Sequence, residues 1–129
     1  MKMIRIMLAA ILMLFVHAQA EGQSPQKEQL ITPTLWAKHP DHFACNLTNV
    51  DHETHVVQVR IISNGEVLED SEEISLEPKH TTNHTVQGSH EGGPIYCEFT
   101  VEGSKDMYRG AAKLYPHPTG TDITAIAAQ

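Results

Sequence analysis

The sequence predicts an all-β fold: an antiparallel two-sheet sandwich, immunoglobulin-like in architecture, with about seven strands and one disulfide. Three observations predict it. Apolar residues alternate with period two over residues 43–48, 55–62 and 95–101, the pattern of strands that bury one face. Turn signals recur about every 8–12 residues, the spacing of small sandwiches. Beyond the first twenty residues no long window carries a helical period.

Those first twenty residues have the layout of an export signal. Lys2 and Arg5 form a basic start, residues 7–16 are an unbroken apolar run, and Ala18-Gln19-Ala20 offers small residues for cleavage. The run is too short to span a bilayer, which takes about 20 apolar residues. The expected organisation is a cleaved signal at 1–20, a flexible polar leader at 21–33 and a single sandwich domain at 34–129. The expected location is the periplasm or the extracellular space.

Within the domain, Pro33 and Pro40 bracket the short apolar piece Thr34-Leu35-Trp36-Ala37, whose Trp36 and Leu35 are expected in the core. Next comes a strand with Phe43, Cys45 and Leu47 on its buried side. The β-branched segment 55–62 follows, with Val57, Val59 and Ile61 alternating against Gln58 and Arg60. Asn64-Gly65 tolerates positive φ and signals a hairpin into residues 66–76. The Thr-rich segment 80–87, apolar only at Val86, suits an edge strand. Ile95, Cys97, Phe99 and Val101 share a face in the next strand, and Phe99 joins Phe43 in the expected core. The polar turn 102–105 leads to residues 107–115, read as the partner strand of a second hairpin. Residues 121–128 are a last strand, which either closes a sheet edge or pairs with another chain.

Cys45 and Cys97 are the only cysteines. In an exported chain they read as one disulfide, and the competing thiol or thiolate-ligand reading lacks a CxxC pair or a nucleophile–base signature. Closing the loop between them contributes about 4 kcal/mol in the chain-entropy model. The single Trp precedes the first Cys, so the immunoglobulin pattern is only partly met, and a small, partly open barrel is the structural rival.

CNLTNV at 45–50, Asn64-Gly65, LEP at 76–78, YCEFTVEG at 96–103 and Arg109 resemble a group of small exported bacterial proteins. Those carry a Cys-Asn-x-x-Asn-Val strand and a later Tyr-Cys-x-Phe-x-Val-x-Gly strand. The likeness covers about residues 43–114 and rests on structural positions. It implies a disulfide-linked β-sandwich and carries no activity.

Charge narrows the function classes. The chain has 129 residues, 9 Lys and Arg against 16 Asp and Glu, and 9 His. Only seven of the basic residues but all sixteen acids lie beyond residue 20, so the formal charge there is seven minus sixteen, −9. Nucleic acid and anionic membranes bind through clustered Lys and Arg, and neither is expected as a partner. No apolar run beyond the signal approaches membrane length.

The histidines are the remaining chemical signal. His39/His42 and His52/His55 are spaced i, i+3, and His80/His84 i, i+4. On a regular strand neither spacing brings two imidazoles within the ~2.1 Å that a metal needs. Only the loops His39-Pro40-Asp41-His42 and Asp51-His52-Glu53-Thr54-His55 can curl around a Zn or Cu ion, and otherwise these are solvated histidines without a cofactor. With an ordinary pKa near 6.5, eight imidazoles beyond residue 20 carry the charge from −9 toward −1 in mild acid, with an expected effect on self-association.

No GxSxG, HExxH or calcium-loop motif occurs, so a small hydrolase is the least supported reading and no catalytic residue is assigned. The acids of 66–77 read as a solvated strand face. Asn46-Leu47-Thr48 and Asn83-His84-Thr85 match glycosylation acceptors, which a bacterial-type signal makes coincidental. The leading expectation is a non-enzymatic, exported interaction or envelope-accessory module whose protein partner meets an exposed strand edge or loop. A His-rich Zn or Cu protein is the alternative.

Overall fold

A computed structural model describes residues 24–116 and 124–129. The expected export signal at 1–20 lies outside the described residues, as does His117. The described chain forms β1 (Lys27–Ile31), β2 (Leu35–Ala37), β3 (His42–Asn49), β4 (His55–Ser63) and β5 (Glu66–Asp70). There follow β6 (Ile74–Leu76), β7 (Thr81–Gln87), β8 (Gly93–Glu102), a 3-10 turn at Lys105–Met107, β9 (Tyr108–Tyr115) and β10 (Thr124–Ala127). A six-stranded sheet has the order β1-β8-β4-β5, with β2 also on β8 and β6 also on β4, and a four-stranded sheet runs β10-β9-β3-β7. Every pairing is antiparallel, and the sheets stack as a sandwich.

The period-two residues supply the core. Phe43, Cys45 and Leu47 from one sheet meet Val57, Val59, Ile61, Ile95, Cys97, Phe99 and Val101 from the other, all sealed from solvent. Cys45 and Cys97 form the expected disulfide, with Cα atoms 5.7 Å apart. It joins β3 to β8, inner strands of opposite sheets. Ala112 lies opposite Cys45 in register, a small residue beside the bridge. Gly110 has a comparable role: a Cβ there would stand 2.9 Å from the Phe99 ring and 3.0 Å from Ala128.

The Asn64-Gly65 hairpin forms, with φ of 51° and 80°, joining β4 to β5. Segment 81–87 is an edge strand, as its polar composition predicts.

Four expectations are corrected. The described residues form ten strands, not about seven, because residues 66–76 divide into β5 and β6 and because β1 and β2 add to β8. Residues 27–31 of the leader are a strand. Leu30 is buried opposite Phe99, and the buried Thr32 accepts the Cys97 N–H through its hydroxyl at 2.9 Å while its own N–H donates to the Cys97 carbonyl at 3.0 Å. One apolar residue and one hydroxyl suffice because β8 supplies the ladder, and neither has a periodicity to detect. The strands at 93–102 and 108–115 are not a hairpin. The turn between them crosses from one sheet to the other, held to the leader by Gly103 N–H on Gln26 and Lys105 N–H on the Glu28 carboxylate, so β9 pairs with β3. Trp36 is 63% exposed, because in its three-residue strand Leu35 and Ala37 take the inward face.

Candidate interaction surface

The opposed residues of an antiparallel pair share a face, so the register defines the outer surface of each sheet. On the six-stranded sheet Trp36 stands opposite Pro94, Ile62 lies between Tyr96 and Val67, and Ile31 stands opposite Glu98. Ile31, Trp36 and Val67 are three of the four large apolar residues exposed among the described residues, and all three lie on this one face. Large apolar residues left exposed on one face are the usual mark of a contact surface. The Trp36 indole is braced against Gly92, where a Cβ would come within 2.7 Å of Nε1. Gly92 also has φ +75°, a backbone that glycine adopts without strain.

Beside the apolar residues lies a charged row. Glu98, Arg60 and Asp70 are neighbours across β8, β4 and β5, and Arg60 forms an ion pair with Glu98. The Gln58 amide donates to Asp70 at 2.8 Å, as does the Glu72 N–H. These bonds, with Gln58 foremost, hold the Asp70 carboxyl below its ordinary value. The fourth exposed apolar residue, Leu68, sits at the bulge where β5 shifts register against β4. It borders a shallow cleft of about 130 Å³ shared with Ala37, Asn64 and Ile95, below the usual ~300–1,000 Å³ of small-molecule sites.

The outer face of the four-stranded sheet is different in kind. Thr81 opposes Thr48, with their hydroxyls hydrogen-bonded at 2.7 Å, and Asn83 opposes Asn46. The two glycosylation-type asparagines are thus cross-strand neighbours on this polar face.

The histidines take separate places. His39 meets the ring of His90, with centroids 4.4 Å apart, a neighbour that sequence spacing did not single out. The contact arises because the His39 N–H donates to the Ser89 carbonyl, pinning one loop to the other. His42 opens β3 and is exposed, and His52 is exposed in the bend before β4. His55 binds Asp51 through Nε2 at 2.7 Å and lies edge-on to Tyr108. Among the described residues no group of three or more His, Cys, Asp or Glu is arranged to hold a metal ion.

The Asp51–His55 pair closes a structural loop. The Asp51 carboxyl is held below its ordinary value first by the His55 hydrogen bond, then by the His52 N–H. The same loop is gathered by the fully buried Asn49, whose amide donates to Glu53 and Leu76 carbonyls while its oxygen accepts the Asp51 N–H. Nearby, the Tyr108 hydroxyl donates to the Glu102 carbonyl, and burial pushes its phenol up to about 12. Asn49 of the CNLTNV segment and Tyr108 are therefore fold-defining, and their polar atoms are satisfied within the protein.

Among the described residues no helix is long and apolar enough to cross a membrane. No protein-family model, curated protein or solved structure matched this chain.

Proposed function

We propose that this protein is an exported, non-enzymatic interaction module that binds a protein partner through the outer face of its six-stranded sheet. One observation carries the reading: Ile31, Trp36 and Val67 are all exposed on that face, with the Trp36 indole packed against Gly92. Large, rigid aromatic anchors contribute most to protein interfaces. The resemblance to small exported bacterial sandwiches and the signal-like start support an extracytoplasmic setting, where the disulfide is stable.

Site-specific photo-crosslinking in the cells that naturally produce the protein tests this. A crosslinker at position 36 or 67 is expected to trap a common partner, whereas one at position 83, on the polar face of the other sheet, traps none. No adduct at 36 and 67, or equal yields at 83, overturns the reading.

A further inference from the structure

The rows on the outer face of the six-stranded sheet end abruptly at β5. The apolar row Tyr96, Ile62, Val67 and the charged row Glu98, Arg60, Asp70 each reach this strand, and among the described residues β5 pairs with β4 alone. Its five residues, Glu66-Val67-Leu68-Glu69-Asp70, are all exposed. Three of the five are acidic, and among the described residues no ion pair engages Glu66 or Glu69.

A bare strand edge offers backbone donors and acceptors to any extended segment laid beside it, and side chains of that segment enter the existing rows. The charges select which segment. A second copy of β5 would set three carboxylates against three, and like charges facing each other across a strand pair are destabilising. An extended segment with an apolar residue beside Val67 and Lys or Arg beside Asp70 prolongs both rows, and Lys or Arg beside Glu69 and Glu66, which lie on the opposite face with Ile61 and Ser63, meets the unpaired acids.

We propose that the free edge of β5 is a docking site for an extended, basic segment of a partner protein, seated by strand addition. The proposal rests on the interaction-module reading and adds the edge used and the chemistry of the partner.

The test is to pan a display library of random linear peptides against the purified, disulfide-bonded protein. Enriched peptides are expected to be extended, to combine several Lys or Arg with an apolar residue, and to weaken in high salt. The double variant Glu66→Lys/Glu69→Lys is expected to bind them about tenfold more weakly or worse, with its thermal midpoint unchanged because both side chains are exposed. In the wild-type protein, bound peptide is expected to slow amide exchange within residues 66–70, a signature of backbone pairing that simple charge attraction does not produce.

The absence of enriched peptides, enrichment without positive charge, equal binding by the double variant, or protection outside β5 each overturns the proposal. Peptides that bind at Trp36 or β7 overturn it while leaving the interaction module standing. The module itself fails if the crosslinks at 36 and 67 fail or if position 83 crosslinks equally well.

Discussion

Along the side where β1 and β10 end, Ile31 and Gln129 exchange backbone hydrogen bonds of 3.2 Å in both directions and so lace the two sheets together, while within the four-stranded sheet Ala128 donates to Gly110 at 2.9 Å. On the opposite side β5 and β7 each have one strand neighbour among the described residues and no such lacing. Edge strands invite unwanted pairing and proteins blunt them. Here one side is blunted by closure, β7 by a neutral Thr/Asn composition, and β5 by carboxylates that repel a copy of themselves. The carboxylates leave β5 open to the opposite charge, which makes an open edge selective.

The comparison is broken most severely at its centre. Reduction of the disulfide, or Cys45→Ala with Cys97→Ala, removes about 4 kcal/mol, and thermal denaturation is expected to fall by well over ten degrees, at roughly 4–8 °C per kcal/mol for a domain of this size. An unchanged midpoint would show that packing alone holds the sheets. Next, Gly110→Val drives a side chain into the Phe99 ring and Ala128 and is expected to cost about 1–3 kcal/mol. The damage falls on the laced side, where exchange of the Ile31 and Ala128 amides should accelerate before that of β7.

Tyr108→Phe leaves the Glu102 carbonyl without its donor and is expected to lower stability by about 1–2 kcal/mol in denaturant titration. Glu69→Lys, on the open side, is expected to shift it by no more than ~0.5 kcal/mol. A large loss there would mean that β5 is engaged within the fold.

The smallest effect is in acid. The folded value of Asp51 lies below its ordinary 3.8, so its contribution is complete above 3.8 and is lost as pH falls through the lower folded value. Asp51→Asn is expected to flatten that part of the pH–stability curve. An identical acid slope in the variant would assign it to other carboxylates.

How much of this was legible follows from where each signal resides. The strands at 42–49, 55–63 and 93–102 announce themselves because each buries alternate residues by its own pattern. Segment 27–31 is silent because its single buried Leu30 borrows a ladder from a strand some seventy residues away. Trp36 misleads for the opposite reason: hydrophobicity predicts burial, but a three-residue strand has only two inward positions, and Leu35 and Ala37 hold them. The proposed contact surface was legible only as a general expectation of an exposed edge or loop. Its location depends on register, and Ile31, Trp36 and Val67 come from three different strands.

Residue alternation, turn chemistry and the cysteine pair are local properties, and they were enough to specify an all-β, disulfide-joined fold and the Asn64-Gly65 hairpin. Which sheet each strand joins is non-local. The 102–107 segment could close a hairpin or cross between sheets, and bonds from Gln26 and Glu28, far away in the chain, settle it as a crossing. The same long-range pairing leaves one side of the sandwich closed and β5 bare, because an edge exists only once every other strand has found its neighbour.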